Sequence, residues 1–427
     1  MTGTRPDLRG MTVFALHIRR WKRAILQAYF PKTRFIYLPL YISDRAFNRD
    51  WAEIVKTSEK PALLVWGMNV PAAVIAFAGQ NSIPIYFLED GFIRSLVPNA
   101  SHGAPFSLTL DSQAPYFNSR QSSDLEHILR SYDFAADPEL LDRSRSAIQK
   151  LLESGLSKYN AVRAPVLAHE IARKNKRRIL VIGQVEDDAS IMFGCDRPLT
   201  NNDVVRAAAA ENSDCEILYK PHPDVLNGVR QRLSNPAEIA HLCKIVTSPV
   251  PLPELLGTVD HVYTITSLGG FEALLRGVAV TVMGCPFYAG WGLTDDRQTI
   301  SRRGRKLSLE EVFAGAYLLY PRYFDPLNGT EIDFEGCLEL AVRWRATGMP
   351  ESRIVPVPVP EKPSFQLAGP YGVFGWRHLL TLPLASVIGM VGDRADAEEF
   401  RKNPILFFRE LSNPIFRKLG RVLYPFD

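Results

Sequence analysis

Four short segments hold most of the residues whose chemistry could make or break a bond. The first is Leu88-Glu-Asp-Gly-Phe-Ile-Arg-Ser95, where Glu89 and Asp90 follow an apolar run and Gly91 permits a sharp turn. Adjacent carboxylates on an extended chain point in different directions, so at most one faces a given reacting atom. Arg94 is a candidate anion clamp, or else the salt-bridge partner of one of those acids. The second segment, Gln184-Val-Glu-Asp-Asp-Ala-Ser190, sets Glu186, Asp187 and Asp188 in a row directly after an apolar strand. Three like charges so close repel one another and call for pairing, protonation or a catalytic use. A carboxylate there suits nucleophilic attack on an anomeric carbon. It also suits a divalent metal, or the N-cap of the next helix.

The third segment, Tyr219-Lys-Pro-His-Pro-Asp224, brackets His222 with two prolines and leaves its ring little orientational freedom. Beside Lys220, such a histidine suits binding or protonating a phosphate leaving group. No second histidine stands at ligand spacing, which weakens a metal reading. The fourth, Thr264-Ile-Thr-Ser-Leu-Gly-Gly-Phe-Glu272, places hydroxyls and two glycines ahead of a helix. Exposed backbone N–H groups and the helix dipole there favour an anion. The segment lacks the lysine of a P-loop and the spacing of a dinucleotide fingerprint, so neither ATP nor NAD follows. Downstream, the aromatic and glycine-rich loop 284–294 contains Tyr288 and Trp291. It fits either packing over a base or sugar, or covering the lobe.

The elements that must position these segments alternate between strand and helix. Residues 11–18, 33–39, 62–66 and 83–88 read as strands, with a helix over 70–78. A longer helical region of mixed charge spans 125–174 and ends in a basic cluster. A second series follows, with strands at 179–182, 216–219, 259–266 and 279–283 and helices at 203–210 and 271–276. Strand–helix alternation predicts parallel, doubly wound sheets. Two such units in tandem place a ligand cleft between them, at the carboxyl ends of the strands. The expected division is an N-terminal lobe over 1–175, a C-terminal lobe over 176–348, a proline-rich linker over 349–370 and a basic amphipathic tail over 371–427.

At 427 residues the chain exceeds one ordinary core and fits two domains. A net charge of +4 is small for that length, and no basic stripe interleaved with aromatics suggests nucleic acid. Five scattered cysteines, never in a Cys-x-x-Cys pair, read as reduced thiols of a cytoplasmic protein. No signal peptide is evident, and the longest apolar stretch, 371–391, is interrupted by Arg377, His378 and Pro383, so no spanning helix is expected. The end of the tail mixes Phe, Leu and Ile with Arg and Lys, which suits either a helix on an anionic membrane surface or one packed back on the lobes.

Taken together, the segments resemble the bacterial capsular polysaccharide biosynthesis family whose members transfer Kdo, an eight-carbon acidic sugar, from CMP-Kdo. The resemblance is carried by Glu89-Asp-Gly-Phe-Ile-Arg-Ser95, Gly183-Gln-Val-Glu-Asp-Asp-Ala-Ser-Ile191, Tyr219-Lys-Pro-His-Pro-Asp-Val225, Thr266-Ser-Leu-Gly-Gly-Phe-Glu-Ala273 and Phe287-Tyr-Ala-Gly-Trp-Gly-Leu-Thr294. It covers residues 63–323. It implies a GT-B architecture of two Rossmann-like lobes, with CMP on the C-terminal lobe and acceptor on the N-terminal one. It also implies retaining β-Kdo transfer with CMP-β-Kdo as donor and neither metal nor other cofactor. Retention agrees with a carboxylate nucleophile and an acid/base partner.

By matching position, the resemblance implies Asp188 as nucleophile and Glu89 as general acid/base, supported by Asp90. Lys220 and His222 would hold the CMP phosphate or the Kdo carboxylate. Ser267, Gly269 and Gly270 would bind phosphate, Glu272 would reach the ribose, and Gln184 would lie on the donor side. Arg94, Ser95, Tyr288 and Trp291 are the acceptor or sugar-carboxylate candidates. The family's long members carry two catalytic modules, whereas one set of motifs here implies one linkage type. The implied acceptor is a phosphatidylglycerol-type or Kdo-terminated glycolipid at the inner membrane surface. That implies a peripheral cytoplasmic protein beside other capsule synthesis or export proteins. An inverting CMP-sialic acid-type transferase and a non-catalytic assembly or export component are the rival readings.

Overall fold

A computed structural model describes residues 5–96, 103–156, 174–226, 233–248, 250–348, 350, 354, 376–391, 397, 400–401, 404–411 and 413–424. The described chain forms two α/β lobes, each built on its own sheet. Four parallel strands start the first sheet: β1 (Thr12–Leu16), β2 (Arg34–Tyr37), β3 (Pro61–Trp66) and β4 (Ile85–Asp90). Their order is β2-β1-β3-β4, with Leu63 opposite Ile85 and Thr12 opposite Pro61. Alternation along the strands splits the core into two layers. Val13, Ala15, Ala62 and Leu64 pack with Ile25 and Leu26 of the helix Arg20–Tyr29. Phe14, Leu16, Leu63 and Val65 pack on the other face with Phe47, Val55 and Val74.

The second sheet contains β6 (Arg178–Ile182), β7 (Glu216–Lys220), β8 (Lys244–Ile245), β9 (His261–Thr264), β10 (Ala279–Val282) and β11 (Asp295–Asp296). All its pairings are parallel, in the order β11-β10-β9-β6-β7-β8. Numbered within the lobe this is 3-2-1-4-5-6 reversed, the order of nucleotide-binding doubly wound sheets. Strands covered on both faces read as continuous apolar runs, which is why Ile179, Leu180, Val181 and Ile182 follow one another in β6 and the whole strand is buried.

One part of the expected division differs. Strand β5 (Ser107–Asp111) runs antiparallel to β4, and β12 (Arg322–Phe324) and β13 (Glu331–Ile332) continue that edge antiparallel. Residues 322–332, expected with the C-terminal lobe, therefore complete the N-terminal sheet. The helix Phe334–Thr347 follows them and is tied to the helix Pro138–Ser154 by the Arg143–Glu335 pair at 2.6 Å. The chain thus crosses between lobes twice. The lobes also share one apolar core: Phe92 and Tyr116 of the first pack on Phe287 of the second, at 4.8 and 6.2 Å between ring centroids.

Apart from Pro350 and Ile354, the expected linker lies outside the described residues. Of the tail, the helices Trp376–Val391, Pro404–Glu410 and Pro414–Leu423 are described. They gather around Ala385, Phe400, Phe408 and Tyr424. No helix among the described residues is long and apolar enough to cross a membrane.

Candidate active site

Strands β6 and β9 are neighbours in space although β7 and β8 lie between them in sequence. Their connections leave in opposite directions and open a crevice at the carboxyl ends. The side chain of Gln184 laces this crevice together. Its Oε1 accepts from the Thr266 backbone N–H at 2.7 Å, and its Nε2 donates to Thr266 Oγ1 at 3.1 Å. Gly183 is needed at the strand end because a Cβ there would lie 2.9 Å from the Tyr219 ring and 3.0 Å from the Lys220 carbonyl.

A cleft of about 600 Å³ opens here and reaches the first lobe. Glu89 and Asp90 line it from the end of β4, facing Asp188, Lys220, His222, Ser267, Gly269 and Glu272 from the second lobe. Residues from all four chemistry-bearing segments, more than 180 positions apart in sequence at the extremes, therefore share one cavity.

The three consecutive acids divide. Glu186 is consumed structurally, accepting from the backbone N–H groups of Asn201 and Ser234 at 2.7 Å each and from the Ser234 hydroxyl at 2.5 Å. Asp187 is exposed and Asp188 lines the cleft. Asp188 also caps the helix Ala189–Gly194, with Oδ1 accepting from Ser190 N–H at 2.8 Å. The cap fixes the carboxylate through one oxygen and leaves Oδ2 for the cleft. Capping and a role in the cleft are therefore compatible.

On the opposite bank, His222 Nδ1 accepts from the Asp224 backbone N–H at 3.1 Å. An accepting Nδ1 makes Nε2 the protonated nitrogen of the neutral ring, so this histidine can donate to an anion. Burial pulls the Lys220 ammonium below its ordinary range, and among the described residues no opposing charge is recorded that holds it up. An anion entering the cleft would supply that charge. Ser267 caps the helix Leu268–Leu274, its Oγ accepting from Gly269 N–H at 3.1 Å and its carbonyl from Gly270 N–H at 3.0 Å. The expectation of a freely exposed row of N–H groups is corrected accordingly: two of them are taken by the cap.

Several candidates lie elsewhere than expected. Arg94 is 1% exposed and donates to Asp90 Oδ2 at 2.7 Å and Ser95 Oγ at 3.2 Å, so both Arg94 and Ser95 are sealed behind the cleft wall. Asp90 reaches the cleft already paired. Tyr288 and Trp291 are each 0% exposed and offer no ring to a sugar. The Tyr288 hydroxyl instead donates to the Ser267 carbonyl at 2.5 Å, and the Trp291 indole to the Phe287 carbonyl at 2.8 Å. Gly270 is a packing requirement, since a Cβ there would meet the Tyr288 hydroxyl at 2.2 Å. Gln184, a donor-binding candidate, does line the cleft, with its amide held by Thr266 as a brace across the crevice.

The structure also adds lining residues that sequence reasoning missed: Phe92, Tyr116, Arg345 and Ser248. Lys22 is another omission. Its Nζ sits 3.0 Å from the centroid of the Trp66 ring, and burial brings the ammonium down to about 8 against the pull of Asp90 and Glu89. No sequence signal singled it out, because it lies one helix turn beyond β1 and 67 positions before Glu89. Among the described residues, no group of three or more His, Cys, Asp or Glu side chains is arranged to hold a metal.

Comparison with known proteins identifies the family and the fold. The family described as capsule polysaccharide biosynthesis protein matches residues 61–323. The lipopolysaccharide-processing protein LpsZ of Rhizobium meliloti is 43% identical over 342 residues, 79% of this chain and 75% of that protein. The capsule polysaccharide modification protein LipA of Neisseria meningitidis serogroup A is 37% identical over 340 residues; the match takes in 79% of this chain but only 46% of LipA. Among solved structures, the β-Kdo 2,4 transferase of Thermosulfurimonas dismutans KpsC superposes with a TM-score of 0.65 at 29% identity, covering 78% of this chain and 98% of that one. The β-Kdo 2,7 transferase of the same protein gives 0.60 at 33%, covering 78% and 99%. The chain belongs to the capsule polysaccharide biosynthesis protein family.

Proposed function

We propose that this protein is a glycosyltransferase that moves Kdo from CMP-β-Kdo to a glycolipid or Kdo-terminated acceptor with retention of configuration. The observation that carries the reading is that Asp188, Glu89 and the Lys220–His222 pair line one cleft at the switch point of a nucleotide-type sheet. In the first step Asp188 Oδ2 attacks the anomeric carbon as its bond to the phosphate oxygen breaks. The bonding pair leaves with CMP, whose charge Lys220 and the N–H of His222 are placed to receive. Glu89 then takes the proton of the acceptor hydroxyl. The acceptor oxygen attacks the same carbon from the opposite face and expels the Asp188 carboxylate. Two inversions give net retention.

The capping bond from Ser190 to Asp188 favours a second reading, in which Asp188 is structural and Glu89 alone serves as base for an inverting transfer. The product separates the two. Incubation with CMP-Kdo generated in situ and a Kdo-terminated acceptor, followed by assignment of the anomeric centre, gives a β-linked product under the first reading. An α-linked product would overturn it in favour of the second.

A further inference from the structure

The helix Pro414–Leu423 is strongly two-sided, yet it is mounted the wrong way round for a helix that contributes to a core. Surface helices normally turn their apolar stripe inward. Here Ile415, Phe416, Leu419 and Val422 are 70, 51, 45 and 71% exposed. At 100° per residue, positions 415, 416, 419 and 422 fall on one arc of about 120°. The side facing the protein carries Gly420, packed on Phe408, and Arg417, whose guanidinium stands 3.9 Å from the centroid of the Tyr41 ring. Lys418, about 40° beyond the edge of the apolar arc, and Arg421, about 100° beyond that edge on the same flank, are both exposed. The neighbouring helix Trp376–Val391 adds the exposed Leu382, Val387 and Met390, with no charged residue between Leu380 and Met390.

This unit is anchored in a definite place. The guanidinium of Arg19 donates to the Glu410 carbonyl at 3.2 Å, and Arg23 pairs with the Glu410 carboxylate at 3.9 Å. Tyr41, under Arg417, is in ring contact with His17 at 5.3 Å, at the carboxyl end of β1. The helix Arg20–Tyr29 therefore bears the tail on one flank through Arg23 and approaches the cleft acids on the other through Lys22.

We propose that the apolar arc of this helix, with its basic flank, is a docking surface for an anionic lipid bilayer, lying beside the first-lobe end of the cleft. Shallow insertion buries the four apolar side chains at the headgroup boundary, where Lys418 meets the negative surface directly and Arg421, farther round the same flank, adds to the attraction at longer range. Charge complementarity selects this occupant: the one acid of the segment 404–424, Glu410, is spent on Arg23, and Arg409 and Arg417 are turned inward onto the Tyr424 carbonyl and the Tyr41 ring, which leaves the exposed Lys418 and Arg421 as the free charge of this surface. That the opening served by this surface takes the acceptor rests on the proposed function; the binding of lipid does not.

Vesicle co-sedimentation of the full chain tests it, without donor or acceptor present. Binding to phosphatidylcholine–phosphatidylglycerol vesicles is expected, with little to phosphatidylcholine alone and a decline as salt rises. The Leu419→Glu/Val422→Glu variant should bind about tenfold more weakly or worse. Lys418→Glu/Arg421→Glu should lose about fivefold for each basic residue removed. All four positions are exposed, so melting temperature and transfer to a water-soluble Kdo acceptor should stay at the parent level. Equal binding to neutral and anionic vesicles, or parent-level binding by the Leu419→Glu/Val422→Glu variant, would overturn the proposal. So would a dimer in light scattering that this variant dissociates, because the face would then belong to a second copy. If the parent binds anionic vesicles yet transfers nothing to the soluble acceptor, the transferase reading fails and the lipid surface stands.

Discussion

Asp188 illustrates how one carboxylate can carry two duties, and the overlap makes its role separable by mutation. Asparagine caps helices about as well as aspartate, so Asp188→Asn keeps the bond to Ser190 N–H while losing nucleophilicity. Turnover should fall about 10³-fold or more with CMP affinity and melting temperature close to the parent's; near-normal turnover would remove Asp188 from the reaction. Tyr288 supports a different expectation. Its hydroxyl holds the Ser267 carbonyl from behind, so Tyr288→Phe should cost about 1 kcal/mol of stability and loosen the turn that faces the donor. A calorimetric titration should show weaker CMP binding even though Tyr288 touches no ligand; unchanged affinity would mean the turn is held by its own cap alone. The type of each residue was readable from sequence, but its direction was not. Glu186, Asp187 and Asp188 look equivalent in a string, and only the positions of Asn201 and Ser234 reveal that Glu186 is spent. Likewise a glycine-rich aromatic loop looks the same whether Tyr288 and Trp291 stack on a sugar or on the core, because burial is decided by distant chain.

At the scale of elements, the apolar runs of β1, β3, β4, β6 and β7 were legible because strands covered on both faces tolerate little else. Strand β5 was not, since Ser107, Thr109 and Asp111 interrupt its pattern although all are buried. Strands β12 and β13, three and two residues long, are too short to leave a periodic signal. That edge is where the chain returns to the first lobe, and the join is reinforced by charge. Glu126, on the helix Asp124–Ser131, accepts from Arg302 at 2.7 Å and Arg303 at 3.0 Å, and both Glu126 and Arg303 are almost fully buried. Burial by itself would raise the Glu126 carboxyl, but the hydrogen bond from Arg302 and the charge of Arg303 bring it below its usual range. A carboxylate with a lowered folded-state pKa adds stability that is present above its unfolded value and lost as pH falls through the folded one. Glu126→Gln should therefore destabilise by about 3 kcal/mol near neutrality, because it leaves Arg303 buried without its counter-charge. The gap between variant and parent should shrink below about pH 4, as the parent's carboxylate takes up its proton. Urea unfolding across that range measures it, and a gap that stays constant with pH would assign the loss to packing.

Among the described residues the two sheets are fused by an aromatic seam as well as by the buried charges at Glu126, and do not stand as two lobes on a hinge. Phe92, two residues past Asp90, stacks against Tyr317 at 5.1 Å and packs on Phe287 at 4.8 Å, and Phe271 of the second lobe joins the same cluster. The seam lies directly behind the cleft, since Phe92 and Phe287 also line it. An apolar interface of this kind resists rigid-body motion, whereas small polar interfaces between domains permit it. The distance between Glu89 on one bank and Asp188 on the other is thus set by core packing, and adjustment on binding falls to side chains and loops. Unfolding should reflect the same continuity. The two lobes should melt together in one calorimetric transition, since neither can separate without exposing the seam. Phe92→Ala should lower that transition as a unit, at a cost of about 3–5 kcal/mol for the cavity. If the variant instead shows two transitions with only the lower one displaced, the lobes fold independently, and the spacing of the cleft acids is set by something other than this core.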